Sequence, residues 1–107
     1  MSMTTIADRR ERHAAQLAAL GNPVRLAILR QVVQGRPEGT PVGDIQGQLD
    51  IPWSTLSHHL DRLAATGLLQ SRPDGRFILY RADYRALRVL TNYLWEDCCK
   101  GGNGSCC

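Results

Sequence analysis

The sequence predicts a mainly α-helical fold with one small β-hairpin. Three observations predict it. Four successive stretches carry helix start and stop signals or an apolar period of three to four residues. The period changes at Leu68, where two runs rich in strand-forming residues flank a "PDG" turn. A further helical stretch follows and ends in cysteines. With 107 residues, 43% hydrophobic and 21% charged, the chain has room for one compact domain. Such a domain buries about two-thirds of its unfolded surface, so a partner that covers more of it adds stability.

"TTIADRRERHAAQLAALG" is alanine-rich, sets Ile6, His13, Leu17 and Leu20 on one helical face, and stops at Gly21. "NPVRLAILRQVVQG" has Asn22 as cap, Pro23 at the first helical position and an apolar series from Val24 to Val33, ending at Gly35. "RPEG" is a turn, after which Thr40 and Pro41 repeat the cap-plus-proline start for a short helix that "DIP" breaks. "WSTLSHHLDRLAATGLL" sets Leu56, Leu60 and Leu63 on one buried stripe and places Gly67 at the helix end. "LLQSR" and "RFILYRA" make the two strands of the hairpin. "DYRALRVLTNYLWEDCC" starts from Asp83 as cap, aligns Leu87, Leu90 and Leu94, and is expected to run as helix into the first cysteine pair.

The 13 Lys and Arg against 10 Asp and Glu give a formal charge of +3, doubled in a dimer, and ten of the thirteen basic groups precede Ala82. That balance is compatible with a nucleic-acid partner. No run approaches the roughly 18 apolar residues of a membrane helix, and "MSMTTIADRRERH" lacks the apolar core of a secretory signal, so the expected location is the cytoplasm. In a reducing compartment the four cysteines, all within the last ten residues, are expected as thiols serving a metal or redox function.

Two short helices broken by a tight turn, followed by a hairpin with arginines on both sides of its tip, match a winged helix-turn-helix. The whole of 1–107 then reads as one such domain, with 98–107 as a cysteine-rich tail. "LGNPVRLAILRQV", "STLSHHLDRLAATGLL" and "RPDGRFILYRAD", in that order between Leu20 and Asp83, resemble the ArsR/SmtB metal-sensing transcriptional repressors. The resemblance implies a homodimer that binds an imperfect inverted repeat in promoter DNA and leaves it when metal binds. It also implies that the first and last helices form the dimer interface, with His13 as an interface or core residue.

The exposed face of the fourth helix offers Ser54, Thr55, Ser57 and His58 to base edges and phosphates of operator double-stranded DNA. Arg72 and Arg76 bracket the wing turn and suit backbone phosphates or the minor groove. A solvated helix surface and a solvated hairpin are the plain alternatives. His59, beside the leucine stripe, is expected to be packed and hydrogen-bonded, and the role of Trp53 stays open.

The family's first-described arsenic sensors carry a Cys-x-Cys pair in the helix before the recognition helix, where this chain has "VGDIQGQL". Its zinc and nickel sensors place Asp, Glu and His ligands along the last helix, which here has no histidine. A further branch has a vicinal Cys-Cys at the end of the last helix and another cysteine shortly after, and "CCKGGNGSCC" resembles that branch. The resemblance implies an As(III) effector, with Sb(III) as its close analogue, held by Cys98 and Cys99 with Cys106 or Cys107. Thiolates select soft ions, and adjacent cysteines suit a three-sulfur pyramid better than tetrahedral zinc. Cadmium, lead or mercury at the same thiols, a redox switch between the pairs and an idle tail are the alternatives. An enzyme is not expected, because no His or Arg constellation surrounds the cysteines and no Gly-rich phosphate loop opens a helix. A metal-buffering chaperone would need neither the wing nor DNA.

Overall fold

A computed structural model describes residues 5–101. The first helix, α1 (Ile6–Leu20), starts from a reciprocal cap: the Thr5 hydroxyl accepts the Asp8 amide at 3.0 Å, and the Asp8 carboxylate accepts the Thr5 amide at 3.2 Å. The second, α2 (Pro23–Gln34), is capped by Asn22, whose side-chain oxygen accepts from Val24 and Arg25. It buries Ile28, Leu29 and Val32. A two-residue strand, β1 (Thr40–Pro41), precedes α3 (Val42–Leu49), and α4 (Trp53–Ala65) follows the turn at Asp50 to Pro52. The hairpin β2 (Leu69–Asp74) and β3 (Phe77–Ala82) leads into α5 (Tyr84–Trp95), capped by the Asp83 carboxylate.

The three strands form one antiparallel sheet in the order β1-β3-β2, with Thr40 opposite Tyr80 and Leu69 opposite Ala82. The core lies where α2, α3, α4 and the base of the sheet meet. Ile28, Val32, Ile45, Leu56, Leu60, Leu63, Leu69 and Ala82 are all at most 2% exposed there. Burying a side chain of this size contributes about 1.5–3 kcal/mol. This is the winged helix-turn-helix expected from the sequence, with five helices and a small antiparallel sheet.

Two expectations about element edges need correction. Thr40 and Pro41 do not start a helix as cap and first residue: they pair with β3, Pro41 takes the cap position, and no side chain caps α3. The backbone of Thr40 is drawn to the sheet edge, and its hydroxyl is buried without a hydrogen-bond partner among the described residues. In α1 the inward ridge is His13, Gln16 and Ala19, whereas Leu17 is 42% and Ile6 80% exposed. Polar residues take the buried side because they hydrogen-bond each other there, and the small Ala19 side chain packs into the core cluster. Finally, α5 ends at Trp95, so Cys98 and Cys99 lie on successive turns after the helix and not on it.

Two glycines are required by the backbone. Gly67 follows the end of α4 at φ +79, the left-handed position after a helix. Gly39 closes the turn after α2 at φ +127, and a β-carbon there would lie 2.8 Å from the β-carbon of Leu79. Gly39→Ala should therefore lower folding stability by about 1–3 kcal/mol. Gly47→Ala, inside α3 with open space around it, should raise stability by about 0.5–1 kcal/mol. Chemical denaturation of the two variants checks both signs.

Candidate nucleic-acid interface and cysteine turn

The apolar stripe of α4 determines what that helix presents outward. Leu56, Leu60 and Leu63 are at most 1% exposed, so Ser54, Thr55 and His58 stand on the open side of its first two turns. Ser57 sits at the edge of this face, half-buried. Trp53 opens the helix and is 49% exposed. Short hydroxyl and imidazole groups at the start of an exposed helix can donate to and accept from base edges and phosphates.

The two wing arginines have different surroundings. Arg72 lies on β2 opposite Leu79, and its guanidinium donates to the Glu38 carbonyl at 3.3 Å, which ties the wing to the turn after α2. Arg76 is in the two-residue turn between Asp74 and Phe77 and is exposed. Phe77 and Ile78, beside that turn, are also exposed.

His59 lies on the inward edge of α4, half-buried, with its Nδ1 3.3 Å from Nη1 of Arg25. The same arginine donates from Nε to the Ala19 carbonyl at 2.7 Å, so it joins the end of α1, α2 and α4. Burial holds the His59 imidazole below its ordinary pKa, and the charge on Arg25 and the neighbouring His58 push the same way. The neutral ring accepts from Arg25, as its expected packed role requires.

At the other end of the chain, Glu96 terminates α5, and Asp97 and Cys99 adopt left-handed backbone with φ near 58° and 60°. Cys98 and Cys99 are exposed on these turns, and the Cys98 amide donates to the Trp95 carbonyl at 3.0 Å. Cys106 and Cys107 lie outside the described residues. Among the described residues no cluster of three His, Cys, Asp or Glu side chains is assembled. Two exposed, adjacent thiols fit a soft ion by donor type, and further sulfur for a three-sulfur site has to come from the last two cysteines.

Gln16, Arg25 and the ion pair between Arg9 and Glu96, whose atoms meet at 2.6 Å, are functional contacts not expected from the sequence. A glutamine three residues after a histidine in an alanine-rich run was the one available signal for a buried polar pair.

A family model described as "Helix-turn-helix domain" matches residues 20–72, which span α2 to β2. The HTH-type transcriptional regulator YgaV of Escherichia coli is 35% identical over 80 residues, covering 75% of this chain and 79% of its own length. The chain belongs to the ArsR/SmtB family of helix-turn-helix transcriptional regulators. An ArsR-like transcriptional regulator from Rhodococcus sp. RHA1 has a solved structure that superposes with a TM-score of 0.72 at 27% identity. The match covers 80% of this chain and 78% of that one. The structure of the transcriptional repressor BigR from Xylella fastidiosa superposes at 0.65 with 29% identity, covering 92% and 98%. The matches cover between 53% and 84% of the length of the curated relatives. These ArsR/SmtB relatives are transcriptional regulators, not enzymes, and DNA binding as a repressor is this chain's role. Among the described residues no helix is long and apolar enough to cross a membrane.

The histidine geometry carries a pH consequence. Because the unfolded chain takes up the His59 proton first, this group's stabilising effect is complete above the ordinary imidazole value of about 6.5 and is lost as pH falls from there toward the folded-state value. Melting temperature should thus decline on acidification below about 6.5, and His59→Gln should flatten that part of the profile. An identical profile in the variant would contradict the assignment.

Proposed function

We propose that the protein is an As(III)-responsive transcriptional repressor, with Sb(III) acting like As(III). It works in the cytoplasm as a homodimer on operator double-stranded DNA. Ser54, Thr55, Ser57 and His58 contact the major groove, and Arg72 and Arg76 contact the flanking backbone. The operator is released when the effector binds Cys98 and Cys99 together with Cys106 or Cys107. The observation that carries the effector reading is the pair of adjacent exposed thiols on the turn directly after α5.

Surface chemistry supports the dimer. Leu17 on α1 and Val89, Leu94 and Trp95 on α5 are between 42% and 64% exposed, an apolar surface on the two helices outside the helix-turn-helix. Pairing these faces gives the molecule two recognition helices, spaced to meet successive major grooves about one DNA turn apart. A ligand that gathers the tail sulfurs acts at the end of a helix in that interface. It releases DNA to the extent that it favours the off state, a tenfold effect needing about 1.4 kcal/mol.

The test is release of a labelled operator, selected in vitro from random duplexes, by As(III), Sb(III), Cd(II), Zn(II) and peroxide in parallel. As(III) and Sb(III) should release the wild type at the lowest concentrations. Cys98→Ser and Cys99→Ser should keep operator affinity and lose the response. Release by cadmium or peroxide alone would transfer the reading to soft divalent ions or to oxidation, and arsenite release from the serine variants would place the site elsewhere.

A further inference from the structure

From the end of α5 to the end of α4 runs an unbroken series of contacts that crosses α1. Glu96, two residues before Cys98, accepts both terminal nitrogens of Arg9, at 3.1 and 2.6 Å. The Arg9 guanidinium also lies over the Tyr93 ring, 5.2 Å from its centroid. On the same ring packs the imidazole of His13, with centroids 4.5 Å apart. His13 Nδ1 meets the Gln16 side-chain oxygen at 2.8 Å, and the Gln16 amide nitrogen donates to the Thr66 carbonyl at 3.1 Å. Thr66 is the residue that ends α4, the helix whose opposite end carries Ser54, Thr55 and His58.

The two halves of this series differ in character. Arg9 and Glu96 have side chains 39% and 45% exposed, so their ion pair is screened by water and easily exchanged. His13 and Gln16 are 4% and 5% exposed, and their hydrogen bonds have a fixed direction. Because the Gln16 nitrogen is committed to a carbonyl, its oxygen can only accept, so His13 Nδ1 carries the hydrogen. A buried amide aimed at a carbonyl of the last helical turn satisfies a group that the helix itself leaves open. Beside it lies a cleft of about 790 Å³ between α1, α4 and the start of α5, lined by Arg12, Gln16, Arg62, Thr66 and Asp83. That space leaves α1 room to shift against α4.

We propose that His13 and Gln16 are positioning residues that couple the cysteine turn after α5 to the recognition helix α4. This inference rests on the effector reading above and names its route. Movement of the turn that carries Glu96 takes away the partner of Arg9. The contact of Arg9 and His13 with Tyr93 then changes, and Gln16 no longer holds Thr66 as before. Contiguity alone is not coupling, so the test measures coupling.

Operator affinity is measured with and without saturating arsenite for wild type, Gln16→Leu and Arg9→Ala, and arsenite uptake is followed separately by loss of titratable thiols. The amide nitrogen of Gly67, which shares its peptide group with the Thr66 carbonyl, is followed by NMR. Both variants should take up arsenite like the wild type but hold the operator more weakly without it, because each already lacks a contact that the route breaks. Their ratio of affinities without and with arsenite should drop by about tenfold, about 1.4 kcal/mol of coupling. The arsenite-induced shift of the Gly67 nitrogen should be present in the wild type and lost in Gln16→Leu. If Gln16→Leu fails to fold, Arg9→Ala, at a half-buried surface position, still decides the outcome. Release ratios equal to wild type in the variants overturn this inference alone. A wild type that binds DNA and keeps it under arsenite overturns the effector reading and this inference with it.

Discussion

Burial of Leu56, Leu60 and Leu63 against α2 and the base of the sheet is the constraint on which the molecule's use of α4 depends. Three side chains at most 1% exposed on one edge of a helix fix its rotation. A turn of the helix in either direction would expose apolar surface at about 25 cal/mol for each Å². The polar residues between them are then held on the outer face, without any interaction of their own being needed to keep them there. The short turn at Asp50 to Pro52 sets the start of that helix, with Asp50 accepting the left-handed backbone that its short polar side chain tolerates. Packing thus converts a leucine spacing into a polar outer surface, the one proposed to face DNA.

The same logic explains what was legible in the sequence. Asn22 and Asp83 work as caps, with Pro23 at the first helical position, because a helix start needs only its own next few residues. The leucine stripe is equally local, whereas the turn expected at Pro73 to Gly75 is displaced: Pro73 and Asp74 pair with Ile78 and Phe77, and the turn is Gly75 and Arg76. Thr40 and Pro41 carry a helix-start signal that loses to pairing with Leu79 and Tyr80, nearly forty residues away along the chain. Along α1 the fold buries Gln16, which has a hydrogen-bond partner in Thr66, and leaves Leu17 of the apolar stripe exposed. Arg25 was unreadable for a similar reason, since its role is defined by Ala19 and His59 together. Along α4 the expected DNA-facing residues fall on or beside one face, whereas the two wing arginines do not bracket the turn: Arg76 is in it and Arg72 lies further down β2.

A shared scaffold and a private sensor are therefore different kinds of information. The helix-turn-helix match spans residues 20–72 and stops well before the cysteines. In the proposed reading the carboxyl end senses through Cys98, Cys99, Cys106 and Cys107, four soft donors in two adjacent pairs that suit a trivalent metalloid better than a tetrahedral ion. The position of the first pair, on turns immediately after a helix with exposed Leu94 and Trp95, puts that chemistry next to the proposed dimer surface.

X-ray absorption at the arsenic edge of the loaded, full-length protein is the most direct measurement of this account. It should show three sulfur neighbours and no nitrogen, with the sulfur count falling when Cys98 or Cys99 is replaced by serine. A first shell of oxygen atoms, or a three-sulfur shell that persists unchanged in both variants, would contradict it.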